Sequence, residues 1–240
     1  MTVTRRSAPM VAVLALASTV LTSLAWAEPA AGDPGVTAVP ATISGASPDG
    51  LGTWTVQYQL LNTDEPPTAA VINEHIDAEA NREVAQQTWD GSTKRPWTFD
   101  ATGTMDARAT TVSELFVGAY NTDEPHMPMQ TVGSVVCDTR SGIVITWDNL
   151  FRDKPAGLTR LADQVEANLT AVASANDLRD WRRAGQFAPV DVNFKYWIPT
   201  HEGIQLHFPE AQFGRGLKVV TVPWAQLSDQ IVPEFLSIAG

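Results

Sequence analysis

The 240-residue sequence contains one cysteine, Cys137. A single thiol excludes an intramolecular disulfide and any zinc cage of several cysteines. Positive charge is also scarce: 16 Lys and Arg face 27 Asp and Glu, for a net charge of -11 and a pI near 4.7. A chain of that sign is repelled by phosphate backbones, so nucleic acid is not an expected partner. No G-x-S-x-G segment occurs, so the usual nucleophile elbow of a serine hydrolase is missing. Beyond the first 27 residues no run is apolar and long enough to cross a bilayer. What the chain does have is 44% hydrophobic residues and eight tryptophans, too apolar for disorder along its length. Its length suits one core and one domain.

The first segment reads as an address. Arg5 and Arg6 precede an apolar run from Met10 to Leu24, and Ala25-Trp26-Ala27 places small residues at both key positions of a signal-peptidase site. The run is shorter than the about 20 residues of a membrane span and carries Ser18, Thr19, Thr22 and Ser23. A Sec-type signal peptide over 1–27, cleaved after Ala27, is therefore expected, with the remaining protein exported and without a membrane span. Losing Arg5 and Arg6 would leave 14 basic against 27 acidic residues. Pro29, Pro34, Pro40 and Pro48 mark 28–50 as a flexible lead-in with a short edge strand at Val36–Ile43.

Periodicity organises 51–240. Trp54, Val56, Tyr58 and Leu60 alternate with polar residues as in a half-buried strand. Ile72, Ile76, Ala80 and Val84 recur every four residues and predict a helix capped by Thr68. Strands are expected at Trp97–Thr102, Val112–Tyr120, Ser134–Asp138 and Ile143–Trp147. A second helix fits Leu158–Ala173. Val190, Val192, Phe194, Tyr196 and Ile198 form the most regular alternation in the chain. Strands at Ile204–Phe208 and Leu217–Val222 and a closing helix around Trp224–Leu236 complete the reading. Strand clusters separated by two isolated helices predict an α+β fold, an antiparallel sheet or sheets backed by two main helices, in a single domain.

Four segments carry a family resemblance: "VINEHIDAE", "VSELFVGAYNTDEPHMP", "CDTRSGIVITWDNLF" and "EGIQLHFPEAQFGRGLKVVTVPWAQL". They resemble the RsiV-type extracytoplasmic domain, found in the lysozyme-responsive anti-sigma factor RsiV, in certain peptidoglycan deacetylases and in the mycobacterial secreted immunogenic antigens. The likeness spans roughly residues 50–236 and is centred on Asp138 to Phe151 and Gly216 to Pro223. It implies an α+β fold, secretion and binding of a protein or cell-envelope component. It brings no catalytic motif that maps onto residues of this chain.

The chemistry-bearing residues give several readings. Ser134, in "VGSVV", lacks the second glycine of an elbow, although four histidines (His75, His126, His201 and His207) and many acids allow a triad on paper. His201 and His207 lie six residues apart beside Glu202, a spacing a zinc site could use, but His207 falls opposite the apolar positions of its strand and reads as a surface histidine. Asn-Thr-Asp-Glu-Pro occurs at 62–66 and 121–125. These are either two acidic loops at one end of the sheet able to hold a hard cation, or turn formers used twice; the second is preferred because calcium needs six or more oxygens. Arg179, Arg182 and Arg183 around Trp181 are either an interface hot spot or anion-binding patch, or a helix end with a core anchor. Cys137 is expected as a buried free thiol. The candidate binding surface is Arg179, Trp181, Arg182, Arg183, Asp64, Glu65, Asp123, Glu124 and His126, with no metal and no cofactor assigned. The leading functional expectation is a secreted, non-catalytic, antigen-type binding protein. The alternative is a secreted esterase or lipase-like hydrolase with a non-standard nucleophile.

Overall fold

A computed structural model describes residues 36–63 and 66–239. The chain runs β1 (Val36–Ala46), β2 (Gly52–Thr63), α1 (Pro66–Asp90), β3 (Trp97–Ala107), β4 (Thr111–Thr122) and β5 (Met129–Asp138). It continues through α2 (Trp147–Leu150), α3 (Lys154–Thr170), α4 (Ala175–Arg183), β6 (Trp197–Pro199), β7 (Gly203–Phe208), α5 (Glu210–Phe213) and β8 (Lys218–Pro223). Strands β1 to β5 form one sheet in sequence order, and β6, β7 and β8 form a second. All pairings are antiparallel except β2–β3. This is the expected α+β architecture with one parallel crossover, made by α1, which joins two neighbouring strands running the same way.

Helix α1 buries Ile72, Ile76 and Ala80 against Val56, Tyr58, Phe99, Phe116 and Tyr120 of the sheet. A second core joins α3 (Leu158, Leu161, Val165, Leu169) to β7 and β8 and to Trp147 and Trp197, whose rings stack at 4.8 Å. Helix α3 begins at Lys154 because the Asp153 carboxylate accepts from the Ala156 N–H, and α4 because Ser174 Oγ accepts from the Asp177 N–H. Cys137 is fully buried, and burial pushes its thiol up to about 12.

Several expectations are corrected. The edge strand expected at Val36–Ile43 is present but longer, an eleven-residue strand Val36–Ala46 zipped to β2, so the lead-in is not flexible there; residues 28–35 and the signal segment lie outside the described residues. Thr68 does not cap α1, which already begins at Pro66. Ile143–Trp147 is not a strand: one bridge joins Val144 to Cys137, and then Asn149 Oδ1 accepts from the Thr146 N–H and opens α2. The alternation over 190–198 also fails. Asn193 donates to the carbonyls of Gly185 and Ala188 and folds Asp191–Phe194 into a 3-10 turn, leaving a strand only at Trp197–Pro199. His207 is buried, not superficial, since β7 is the central strand of its sheet and is covered on both sides. The closing helix is instead two 3-10 segments, Trp224–Gln226 and Pro233–Ala239.

A carboxyl group helps hold the first sheet together. The β2–β3 ladder ends at Gln57 opposite Thr102. Beyond it, Glu114 reaches from β4 past Gly103 of β3, and its Oε1 accepts from the Gln59 N–H of β2 at 3.0 Å. A β-carbon at Gly103 would stand 2.2 Å from that oxygen, so only glycine leaves the passage open. The Gln59 side chain completes the closure by accepting from the Met105 N–H at 2.8 Å. Glu114 is fully buried, its Oε2 has no hydrogen-bond partner, and burial pushes its pKa up to about 8.

Because the folded pKa lies above the ordinary 4.5, the stability Glu114 contributes is complete below about pH 4.5 and is lost as pH rises through about 8. His207, lowered by burial to about 4, acts oppositely: its contribution is complete above about pH 6.5 and is lost as pH falls towards 4. Between pH 6.5 and 8 the histidine is silent. Glu83, raised by burial to about 7, adds a smaller fall of the same sign that is complete soon above that pH. The free energy of unfolding should fall by about 2 kcal/mol across the window, read by denaturant melts, and Glu114→Gln should remove more than half of the slope. An unchanged slope in the variant would contradict a protonated Glu114.

Candidate functional site

Helix α1 presents its groove face through His75, Glu79, Arg82, Glu83, Gln86 and Asp90, which recur every three or four residues. Opposite stands the segment from Asp191 to Trp197, and β5 lies between the two. The groove contains two cavities, of about 440 Å³ beside Ser134–Val136 and about 320 Å³ beside Met129–Val132. Lys195 lines both. Volumes of this order suit small ligands or peptide side chains.

Arg82 is the electrostatic centre of the groove. Its Nε donates to Glu79 at 2.7 Å, its Nη2 donates to Glu83 at 2.7 Å, and its guanidinium lies 5.9 Å from the centre of the Tyr196 ring. Lys195 Nζ stands 4.6 Å from the same ring, within cation–π range. The Glu83 carboxyl packs over Gly133, where a β-carbon would meet Oε1 at 2.6 Å. Burial raises the Glu83 pKa to about 7, against the opposing pull of Arg82. At the rim, Lys154 Nζ bridges Asp148 at 2.8 Å and Asp191 at 2.6 Å, tying the start of α3 to the facing wall. The two carboxylates raise the lysine pKa.

Ser134 Oγ accepts from the Trp197 N–H at 2.9 Å, which makes the serine a fastener between the two sheets. Among the described residues no serine–histidine hydrogen bond occurs. His207 bonds Gln205 and His201 bonds Arg108, while His75 stands on the groove wall. No group of three His, Cys, Asp or Glu able to hold a metal is found among the described residues.

The residues singled out from sequence fall elsewhere. Trp181 packs edge-on to Phe187 and Phe213, and Arg182 pairs with Glu166 of α3, so this cluster fastens α4 to the second core. Arg179 and Arg183 lie near Asp180 on the exposed side of α4. Asp123 and Glu124 converge on Arg95, beside the exposed His126. Asp64 and Glu65 lie outside the described residues. The strand ends that carry the two Asn-Thr-Asp-Glu-Pro repeats lie at opposite ends of the sheet. Thr122 and Gly52 both pair with Trp97, so the β4 loop leaves where β2 begins, while Thr63 ends β2 at the far side. Parallel pairing of β2 with β3 causes this. Arg82, Glu83, Lys195 and Tyr196 escaped the sequence reading. Their one local signal was Glu83, which follows Ile76 and Ala80 at spacings of seven and three and so falls on the inner face.

Arg82→Ala should push the Glu83 pKa further above about 7 by removing the adjacent cation. Carboxyl NMR titration reads this directly. A Glu83 that titrates unchanged in the variant would show that the pair does not govern its charge.

No protein-family model and no curated protein matches the chain. Solved structures do. A DUF3298 family protein from Pseudomonas aeruginosa PAO1 superposes with a TM-score of 0.50 at 14% identity, covering 84% of this chain and 96% of that one. A member of the same family from Bacteroides fragilis NCTC 9343 gives 0.54 at 10% identity, covering 84% and 94%. At such identities the likeness is one of fold, and neither description names a ligand or a reaction. The chain shares the fold of DUF3298 family proteins.

Proposed function

We propose that the protein is an exported, non-catalytic binding domain of the RsiV-like type, and that its ligand, a protein or cell-envelope component, seats in the groove between α1 and the Asp191–Trp197 wall. The observation that carries this reading is the state of the groove's own groups. Its one lining serine accepts from the Trp197 N–H and has no histidine partner, while Lys195, Tyr196 and the Arg82 cluster stand on two packed walls. Charged and aromatic groups on a preformed concave surface are the usual apparatus of recognition. Export is supported by the arginine pair, the short apolar run and the Ala25-Trp26-Ala27 site. The RsiV-like assignment is supported by the segment resemblances and by the shared DUF3298 fold.

Protein secreted by an expressing bacterium should begin at Glu28 on N-terminal sequencing; retention of Met1 in the external fraction would contradict the signal reading. Purified protein should neither turn over p-nitrophenyl esters saturably nor take up a serine-directed fluorophosphonate. Labelling of Ser134 would establish the hydrolase alternative instead. Immobilised protein should retain purified lysozyme or purified peptidoglycan, with Lys195→Glu weakening retention by about tenfold, as expected for loss of one charge-assisted contact. Retention of neither probe, or retention indifferent to Lys195, would overturn the groove assignment.

A further inference from the structure

Strand β5 is the edge of the five-stranded sheet, bonded along one side to β4. Three hydrogen bonds fix which of its residues point outward. The Val136 carbonyl accepts from the Ile145 N–H, the Asp138 N–H donates to the Ile143 carbonyl, and the Gln130 N–H donates to Glu210 Oε2. Strand alternation then directs the backbone groups of Val132 and Ser134 outward as well. Among the described residues no strand pairs with either of them on that side. The edge is thus stopped at one end by Glu210 and at the other by the Val144 bridge; between them Val132 and Ser134 are unpaired on that side, Val132 buried and Ser134 half-buried.

Both cavities of the groove lie along this unpaired stretch, one beside Ser134 and the other beside Val132. A strand laid on β5 would send alternate side chains towards α1 and towards the Asp191–Trp197 wall. Lys195 lies where the cavities meet and makes no close ion pair among the described residues; Glu83 feels its charge only at longer range, whereas Arg82 is held directly by Glu79 and Glu83. The complement of Lys195 is a carboxylate. At the end of the groove Trp89 is 87% exposed, and it follows Ala78, Arg82 and Gln86 at spacings of four, four and three, so it belongs to the same helix face. An indole left in water beside a groove fits an aromatic anchor for a partner.

We propose that the groove is a strand-addition site: an extended segment of a partner protein, bearing an acidic side chain opposite Lys195, pairs its backbone with Val132 and Ser134 of β5. Main-chain hydrogen bonds would supply affinity, and the two cavities would supply selectivity for alternate side chains. The contact of Arg82 with Tyr196 separates the cavities, so the entering segment displaces it. This inference rests on the groove being the binding site and specifies what it binds.

The test is selection of a displayed library of random twelve-residue peptides on the full chain, followed by amide hydrogen exchange with the enriched peptide in synthetic form. Enriched peptides should carry an acidic residue within an alternating pattern and should slow exchange at the Val132 and Ser134 amides. Val132→Pro removes one outward donor while leaving the β4 ladder intact, a substitution edge strands tolerate, and should weaken the peptide by about tenfold. Lys195→Glu should do the same. No enrichment, or binding that leaves both amides exchanging as before, would overturn strand addition. If lysozyme or peptidoglycan still binds in a Lys195-dependent way while those amides are unaffected, the groove stands and only the strand-addition mode fails. The exchange measurement uses the unaltered protein, so the outcome does not depend on Val132→Pro folding.

Discussion

Burial of one face of α1 on the five-stranded sheet sets the place of every group in the groove. Ile72, Ile76 and Ala80 lose their water against Val56, Phe99 and Phe116, and this apolar contact is the main force keeping the helix on the sheet. Because α1 is also the link between β2 and β3, its packing makes those strands parallel. The parallel pair then dictates the direction of β4 and β5, separates the strand ends that carry the two acidic repeats and leaves β5 at the edge beside the helix.

That arrangement carries two buried acids, and their surroundings differ. Glu83 meets Arg82 at the margin of the groove, so its burial is partly offset by a cation. Glu114 has no such partner; it is held by one backbone N–H in the gap where β2 and β3 part. A buried ionised carboxylate without a countercharge costs several kcal/mol, and a protonated carboxyl costs much less. One acid is therefore part of the groove's charge system, and the other is a neutral fastener within the sheet.

The second layer contributes the opposing wall. Its core is rich in aromatic rings, with Trp147, Phe151 and Trp197 stacked and Phe208, Phe213 and Phe187 close together. Ser134 and Trp197 join the layers by a hydrogen bond, and Lys154 joins α3 to Asp148 and Asp191. With both walls packed into separate cores, the frame of the groove is preformed, and the binding free energy a ligand would spend on rearrangement goes chiefly to moving the Arg82–Tyr196 contact.

Local periodicity was enough to place β2, α1, β4, α3 and β7 and the α+β class, because in each of them one apolar face repeats at the period of its own element. The burial of Cys137 was legible for the same reason. Where side chains compete with the backbone, the same reasoning failed: Asn193 turned the most regular alternation in the chain into a 3-10 turn, and Asn149 started a helix where a strand was expected. Arg179, Trp181 and Arg182 were recognisable as a cluster, but only the packing of Trp181 against Phe187 and Phe213 and the pairing of Arg182 with Glu166 showed what it fastens. The groove itself was out of reach of sequence. Arg82 and Tyr196 are more than a hundred residues apart, and their meeting depends on how two layers stack, which no local pattern encodes. Sequence determined the faces that had to be buried; the tertiary structure decided which faces met, and so which charges came to share one cleft.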